Sequence, residues 1–418
     1  MQTPEEFLEA NGLETRTIDR AGLVAAFQKE MEAGLAGEPS SLKMIPTFTS
    51  PYGEVTKDTP VTVLDAGGTN FRAGTVTIPS DGSEIKIEHV EKGEMPGAKS
   101  YVSQEDFYAV LTGHVQRCAP FVKDNAVGFC FSYPAEASAE GDAKLLHWTK
   151  QIQAPEIVGQ WVGAEMAKRL DPKPSKITVV NDTVATLLAG KAVEKDVHYS
   201  AYLGFILGTG TNLASIENGT IRNAESGECD KVPRTPCDLA YDATLPDTGA
   251  APFEKMVSGA YLGGVGHELL KAAARAGLID GVGLDGVSLS TLDLDAFGAG
   301  DVSSTHPLVA ALAPKDIPVA RELVRAVFLR AVALTAAHLA AFVRRSAEAG
   351  RSPVRITADG STYWKTRAVD FDGIVRAEMA ALVPDIPFEI FRTDEAPMVG
   401  AAVAADTVVI SKVRSPSV

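Results

Sequence analysis

The sequence predicts an α/β protein of two large domains with a cleft between them, and three observations support this. The chain has 418 residues, whereas one domain usually holds about 100 to 200, so two large domains or three small ones are expected. Helical and strand patterns alternate along most of its length. A strand, glycine turn and strand at "DAGGTN" (65–70) return in similar form at "LGTGTN" (207–212), which predicts an internal duplication.

Charge and cysteine content limit the classes of partner. The chain carries 39 basic and 54 acidic residues, for a net charge of −15, so we expect no nucleic acid and no membrane as partner. A small anion would have to be held locally, by backbone N–H groups, one or two cations and a metal. The four cysteines show no metal-ligand spacing, which favours reduced thiols in a cytoplasmic protein. The N-terminus is acidic and lacks an apolar core, so no signal or transit peptide is expected.

The first half of the chain predicts one helix and then alternating strands and helices. Apolar residues at helical spacing indicate a helix over 20–36. From residue 61 a period of two predicts a three-stranded antiparallel meander of "VTVL", "RAGTVTI" and "EIKIEHV". The elements predicted next are the helix "SQEDFYAVLTGHVQRCAPFV", the strand "AVGFCFSYP", the helix "APEIVGQWVGAEMAKRL", the strand "KITVVND" and the helix "TVATLLAGKAV".

The second half again begins with strand, glycine turn and strand, in "YLGFILGTGTNLASIENGTI". The segments predicted after it are a glycine-rich loop and helix at "FEKMVSGAYLGGVGHELLKAA", a loop-rich stretch over 280–307, long helices over 319–349, the strands "PVRITADG" and "FEIFRTD", and a closing helix from Pro397. The most apolar segment, "AVFLRAVALTAAHLAAFV", contains Arg330 and His338. These polar residues favour a buried helix over a membrane span.

The two glycine turns have two interpretations. Turns rich in Gly, Thr and Asn can aim successive N–H groups into one concavity, which suits phosphate oxygens. Alternatively, the glycines only supply the positive φ of tight turns. The second interpretation is favoured for either hairpin alone. The first is favoured for two hairpins that face each other, because each can hold one end of a polyphosphate. The P-loop motif is absent from the sequence, and no GxGxxG motif follows a predicted strand and opens a helix in a βαβ unit.

Four polar residues carry candidate chemistry. Asp65 ends an apolar strand, where its carboxylate could orient magnesium through water or start the turn. Asn181 and Asp182 end another strand, so they are either helix N-caps or, at the carboxyl edge of a sheet, a site with a general base. Lys150 in "LHWTK" is either solvated or offers its charge to a transferring phosphoryl group. The residues alone leave these alternatives open.

Taken together, these segments resemble the hexokinase family of eukaryotic type, sugar kinases of the actin-like duplicated fold. The similar segments are "SSLKMIPTF", "LDAGGTNFR", "FSYP", "LHWTK", "VVNDTVATL", "GTGTN", "FEKMVSGAYLGG" and "ADGSTYW". The resemblance implies two ribonuclease-H-like (actin-like) α/β domains around a ligand cleft. The smaller domain would cover 56–186, with a C-terminal helix at about 403–418 returning to it, and the larger would cover 1–55 and 187–402.

The resemblance also implies an activity and a set of site residues. The reaction would be transfer of the γ-phosphoryl group of ATP to the 6-hydroxyl of a hexose, glucose first, with Mg²⁺. Asp182 would be the general base, and Lys150 would lie near the transferred phosphate. Residues implied to bind the sugar are Ser132, Thr149, Lys150, Asn181, Asp182, Asn212, Glu225 and Glu254. Residues implied to bind the nucleotide are Asp65, Gly67, Gly68, Thr69, Asn70, Arg72, Gly208, Thr209, Gly210, Gly360 and Ser361, with Asp65 also orienting magnesium through water.

The sequence departs from the family pattern at three places. Ser226 stands where the family usually has a tryptophan, which predicts a looser loop behind Glu225. "DEAPMVGAAVAA" lacks the usual Gly-Ser-Gly-Lys lead-in, and "STYWK" replaces the commoner Val-Tyr-Lys ending. The last two lie on the nucleotide side, so the sequence supports the sugar more strongly than it supports ATP.

Two other functions are possible on a related fold. One is a non-catalytic sugar sensor, which the presence of Asp182, Lys150 and both hairpins disfavours. The other is an actin-like or chaperone-like ATPase without a sugar site, which Ser132, Thr149 and Glu254 disfavour. The expected assembly is a monomer or a homodimer.

Overall fold

A computed structural model describes residues 2–51, 56–68, 70–118, 126–148, 152–192, 197–347, 352–393 and 395–406. The helices in these ranges are α1 (Pro4–Ala10), α2 (Arg20–Ala36), α3 (Gln104–Cys118), α4 (Val162–Arg169), α5 (Asp182–Ala192), α6 (Pro236–Asp242), α7 (Pro252–Val257), α8 (Leu262–Arg275), α9 (Thr291–Ala299), α10 (Pro307–Ala311), α11 (Ile317–Ser346), α12 (Ser361–Lys365), α13 (Phe371–Leu382) and α14 (Ala396–Asp406). The strands are β1 (Ile45–Pro46), β2 (Val61–Ala66), β3 (Asn70–Thr77), β4 (Lys86–Glu94), β5 (Ala126–Phe131), β6 (Ala135–Ala137), β7 (Ala143–Leu145), β8 (Lys176–Val180), β9 (Ala201–Leu207), β10 (Thr211–Glu217), β11 (Thr220–Asn223), β12 (Val354–Asp359) and β13 (Phe388–Arg392).

The two main sheets have the same strand order. The five-stranded sheet runs β4-β3-β2-β5-β8, an antiparallel meander extended by two parallel strands. The six-stranded sheet repeats this as β11-β10-β9-β12-β13 and adds β1 beside β11. In each sheet the glycine hairpin joins the first two strands of the meander. The repeated order confirms the predicted duplication and the predicted meander.

Helices α5 and α14 pack between the two sheets. Their apolar side chains share one buried cluster with residues of β2, β8 and β10, such as Val63, Val180 and Ala214. The backbones touch where glycine leaves room: a Cβ on Gly128 of β5 would lie 2.1 Å from the carbonyl oxygen of Ala401 in α14. The described part of the predicted C-terminal helix therefore lies against the five-stranded sheet, while residues 407–418 lie outside the described residues. The domain boundaries stay a prediction.

Helix α11 runs through the core of the half that contains the six-stranded sheet. In the described part of the chain it is the one helix long and apolar enough to cross a membrane by length and composition, but nearly all of its apolar window is buried in the protein. Its Arg330 is paired with Asp238 of α6. His338 is fully buried, among the rings of Phe27, Phe205, Phe253 and Phe342. The prediction of a buried helix is confirmed.

Several predicted helices differ in extent. The helix predicted over 154–170 begins only at Val162, because the Asp142 carboxylate accepts the N–H groups of Gly163 and Ala164 at 2.7 and 2.8 Å and so caps α4 there. This cap comes from another element, so the local pattern could not reveal it. The long helices predicted over 319–349 are one helix, α11.

Other elements were missed. The loop-rich stretch over 280–307 contains α9, whose capping box of Ser290 and Asp293 is visible in the sequence. Helix α13 was also missed, although the parallel strands β12 and β13 need a crossover connection between them. In the segment 253–273, predicted as a glycine-rich loop and a helix, the helix is α8, and a further short helix, α7, precedes the loop.

Candidate active site

The first hairpin, between β2 and β3, carries a charged pair. Asp65 of β2 lies opposite Arg72 of β3, and Arg72 donates from Nη2 and Nε to Asp65 Oδ2 at 2.6 and 3.2 Å. Arg72 Nη1 also pairs with Glu395, which precedes α14. On the other side, the Tyr133 hydroxyl donates to the carbonyl of Gly68 at 2.5 Å. These contacts fix the turn and hold a carboxylate and a guanidinium beside it.

The second hairpin, between β9 and β10, lies against the end of β12. A Cβ on Gly208 would lie 3.4 Å from the Cα of Gly360 and 3.7 Å from the backbone nitrogen of Ser361. Gly360 has a φ of 117°, and a Cβ there would lie 2.2 Å from the carbonyl oxygen of Leu207. Only glycine fits this position. The structure therefore brings together the predicted hairpin and the predicted adenosine-side residues.

The positive-φ explanation of the turn glycines is wrong. None of Gly67, Gly68, Gly208 and Gly210 has a positive φ. Gly210 is required by space instead, because a Cβ would lie 2.4 Å from Oε2 of Glu254. Gly68 borders open space, with no atom within 4 Å of a Cβ built there. Close approach to other groups, rather than turn geometry, accounts for glycine at 210.

The predicted sugar residues come from both halves of the molecule. Ser132 follows β5, Asn181 and Asp182 join β8 to α5, Asn212 lies in β10, Glu225 follows β11, and Glu254 lies in α7. Asn181 and Glu225 line one cleft of about 600 Å³ of empty space, open solvent included, with Phe48 and the β6–β7 ribbon on its other sides. The cleft therefore joins residues of the two sheets.

A chain of amide groups holds Glu225. Asn212 Nδ2 donates to Asn223 Oδ1 at 2.8 Å, and Asn223 Nδ2 donates to Glu225 Oε1 at 2.7 Å. Glu225 itself has a φ of 51°, an uncommon backbone conformation for a non-glycine residue that often marks a functional position. Ser226 is fully buried and its N–H donates to Asn212 Oδ1 at 3.1 Å. Asn223 was not among the predicted sugar residues.

Asn181 and Asp182 both serve the start of α5. Asn181 Oδ1 accepts from the N–H and the hydroxyl of Thr183 at 3.0 and 2.5 Å. Asp182 Oδ1 accepts the same N–H at 2.9 Å. The N-cap interpretation therefore describes Asn181, while Asp182 is half-buried at the carboxyl edge of the five-stranded sheet. Capping and chemistry are compatible at Asp182, because one carboxylate oxygen makes the cap contact.

Asp182 is the centre of a group of carboxylates. Its charge raises the pKa of Asp65, of Glu225 and of Asp359 at the end of β12. For all three, burial is the larger cause of the raised pKa. Arg72 opposes the shift at Asp65 and at Asp359. One carboxylate is therefore within electrostatic reach of the first hairpin, of the sugar residues and of the β12 edge.

Glu225 has the most informative pKa in this group. Its pKa is raised to about 7: burial is the main cause, the hydrogen bond from Asn223 lowers the pKa, and the charges of Asp182, Glu228 and Glu254 raise it. A carboxylate whose pKa is near neutrality changes charge in the physiological range. Ligand binding at Glu225 should therefore depend on pH.

Three predicted residues lie outside the described residues: Thr69, Thr149 and Lys150. One acidic residue was missed, Asp359, whose Oδ1 accepts the N–H of Gly360 at 2.7 Å. The segment "ADGS" was recognised in the sequence, but only its Gly and Ser were assigned. The strand register places Asp359 beside Ile206, one residue before the end of β9.

The residues around Asp65 fit a hydrated divalent cation. Among the described residues, no group of three or more His, Cys, Asp or Glu side chains is arranged to bind an ion directly. Three carboxylates, of Asp65, Asp182 and Asp359, nevertheless influence one another, and the guanidinium of Arg72 acts on both Asp65 and Asp359. Such an excess of negative oxygen ligands suits Mg²⁺, which keeps most of its waters.

The family is decided by two matches that together cover most of the chain. Two family models, both described as hexokinase, match residues 5–192 and 202–407. The chain belongs to the hexokinase family. The boundary between the two matches falls just before β9, where the second copy of the duplicated pattern begins.

This chain is similar to curated hexokinases of plants and animals, and the share of each protein that is matched differs. Hexokinase-2 of Oryza sativa subsp. japonica is 32% identical over 284 residues, which are 60% of this chain and 57% of that protein. The hexokinase of Schistosoma mansoni is 29% identical over 392 residues, 83% of this chain and 84% of that protein. The chain thus spans less than two thirds of the rice hexokinase.

Solved structures confirm the fold. The Schistosoma mansoni hexokinase complexed with glucose superposes with a TM-score of 0.79 at 25% identity, over 97% of this chain and 100% of that one. A ROK family glucokinase from Streptomyces griseus, in complex with glucose and AMPPNP, gives a TM-score of 0.52 at 18% identity over 83% and 99%. The second likeness concerns the fold alone. The predicted fold class, two actin-like α/β domains, is confirmed.

Proposed function

We propose that this hexokinase-family protein transfers the γ-phosphoryl group of ATP to the 6-hydroxyl of a hexose, with glucose the first candidate. The position of Asp182 carries the proposal: it follows Asn181, which lines the cleft together with Glu225, at the carboxyl edge of the sheet whose strand β2 carries Asp65. A carboxylate placed between the two substrates can take the proton of the attacking hydroxyl.

The remaining residues would hold the two substrates. The carboxylates of Glu225 and Glu254 and the amides of Asn181 and Asn212 supply acceptors and donors, which suits a ligand that carries a hydroxyl on most of its carbons. Magnesium on the nucleotide would neutralise charge on the transferred phosphoryl group, and Asp65 would orient its water shell. The glucose complex of the similar Schistosoma enzyme supports glucose as the sugar.

A coupled assay on the purified protein tests the proposal. Glucose, mannose and fructose should be compared, each with ATP, other nucleoside triphosphates and Mg²⁺, and turnover with glucose and ATP is expected. No turnover with any hexose and any nucleotide would reject the proposal. Calorimetry with glucose would then separate two outcomes, since glucose binding without turnover would identify a non-catalytic sugar sensor. We also propose a cytoplasmic location and a monomer or homodimer, which fractionation and light scattering would test.

Glucose binding should tighten about tenfold as the pH rises from 6 to 8. Burial raises the pKa of Glu225 to about 7, and sugar hydroxyls donate better to the ionised carboxylate than to the protonated one. Rising pH should have the opposite effect on folding stability. The folded protein keeps a proton on Glu225 that the unfolded chain has released between about pH 4.5 and 7, so the free energy of unfolding contributed by this group falls as the pH rises through that window.

Calorimetry of glucose binding across this pH range measures the effect. Glu225→Gln should bind glucose more weakly and without the pH dependence. The matched control is Glu228→Gln, which removes a carboxylate from the same turn and should keep the dependence with a slightly lower midpoint, because the Glu228 charge raises the Glu225 pKa. A flat profile in the unmodified protein would contradict the prediction.

A further inference from the structure

Three hydrogen bonds hold the carbonyl groups of the second hairpin. The N–H of Gly259 donates to the carbonyl of Gly208 at 2.8 Å, and the N–H of Ala260 donates to the carbonyl of Thr209 at 3.0 Å. The third donor is a side chain: Thr362 Oγ1 of α12 donates to the same Gly208 carbonyl at 2.8 Å. We call these three bonds the hairpin clamp.

The hairpin clamp fixes the direction of two N–H groups. A trans peptide group is planar, and its C=O and N–H point in opposite directions. Fixing the Gly208 carbonyl therefore orients the N–H of Thr209, and fixing the Thr209 carbonyl orients the N–H of Gly210. Among the described residues none accepts a hydrogen bond from either N–H. Gly208 is buried while Thr209 is exposed, so the clamp turns both N–H groups to the accessible side.

Thr362 is tightly enclosed within the clamp. It is 6% exposed, and a Cβ on Gly259 would lie 2.5 Å from its Oγ1, so there is no room for a side chain at 259. Valine has nearly the same shape as threonine but carries a methyl group in place of the hydroxyl. Thr362 of "STYWK" thus supplies a buried hydroxyl donor to the hairpin.

We propose that Thr362 is a positioning residue for the phosphate-binding face of the second hairpin. The inference rests on the proposed function, because it takes the N–H groups of Thr209 and Gly210 as donors to nucleotide phosphate oxygens. Thr362 acts through the Gly208 carbonyl and does not touch the nucleotide. Its loss should weaken nucleotide binding and leave sugar binding unchanged.

The test compares Thr362→Val with Thr362→Ser and a control. Thr362→Val keeps the shape and removes the donor, so KM for ATP and the Kd of MgADP measured by calorimetry should both rise roughly three- to tenfold, as for the loss of one hydrogen bond. Thr362→Ser restores the donor and should stay within about twofold of the unmodified protein. The control is Thr366→Val, because Thr366 Oγ1 donates to the carbonyl of Thr362 at 2.7 Å and not to the hairpin.

The outcomes are distinct. An unchanged Kd for MgADP in Thr362→Val would overturn the inference. So would a Thr362→Ser variant that binds MgADP as weakly as Thr362→Val does. An equal rise in the Kd for glucose together with a lower melting temperature would also overturn it, because that pattern means general loosening. If Thr362→Val does not fold, Thr362→Ala is the second variant that lacks the donor. An unmodified protein that binds no nucleotide would reject the proposed function and the inference together.

Discussion

Replacing Asp182 by alanine should lower kcat by at least about three orders of magnitude, the scale for losing a general base together with its positioning. Asp182 begins α5 directly after Asn181, which lines the cleft together with Glu225. Glucose binding should be largely kept, because other residues hold most of the sugar. The coupled assay gives kcat, and calorimetry gives the Kd for glucose.

Two further variants make this test specific. Asp182→Asn keeps the shape and can still accept the N–H of Thr183, so a loss as large as that of alanine would assign the effect to the charge and proton affinity. Asp370→Asn is the matched control, since Asp370 Oδ1 also accepts an N–H at the start of a helix, that of Gly373 in α13 at 3.1 Å. Near-normal turnover in Asp182→Ala would move the base to another residue.

Replacing Arg330 by methionine should lower the free energy of unfolding by about 3–5 kcal/mol, the usual cost of breaking a buried ion pair by removing one partner. Arg330 is 2% exposed, and its Nη1 and Nη2 donate to the two carboxylate oxygens of Asp238, each at 2.6 Å. Asp238 would be left with the N–H and hydroxyl of Thr235 as its donors. Urea unfolding measures the change.

A double variant tests whether the loss of stability comes from leaving the Asp238 charge buried without Arg330. Arg330→Met with Asp238→Leu removes both charges and should recover part of the loss, because a buried ion pair replaced by apolar groups often costs little. Recovery should be incomplete, since the Thr235 capping box is also lost. The exposed pair Lys168–Glu165 provides the control, and Lys168→Met should change the free energy by less than about 1 kcal/mol. A similarly small change in Arg330→Met would contradict the prediction.

Local patterns in the sequence predicted the longer strands of the two main sheets, the two hairpins and the buried nature of α11, but not the short strands β1, β6 and β7. They could not show features whose partners are distant in the chain. The Asp142 cap of α4 joins residues 21 apart, and Arg330 is explained only by Asp238, 92 residues away. Helix α13 was missed for a different reason: its apolar pattern is ordinary, and the requirement for it comes from the parallel pairing of β12 and β13.

The site was predicted as a set of residues rather than as a geometry. Asp65 and Asp182 were candidates from their positions at strand ends, and Glu225 was named from the family resemblance. Their mutual influence on pKa depends on burial, which no motif reports. Asp359 was missed because its charge matters only when β12 lies beside β9. Thr362 was noticed as a departure, yet its role depends on a contact with Gly208, 154 residues away.

The two main sheets share one strand order, but the hairpins of the two copies differ in sequence. When "LDAGGTN" and "LGTGTN" are aligned at their Thr-Asn ends, Asp65 corresponds to Leu207 and Asn70 to Asn212. One copy has a carboxylate where the other has an apolar side chain, and Asn212 of the second copy joins the amide chain to Glu225. Under the proposed function, the first repeat would orient the metal through Asp65, and the second would also hold the sugar through Asn212. The backbones of the two copies have kept the same strand order, and the differences that matter for function lie in a few side chains.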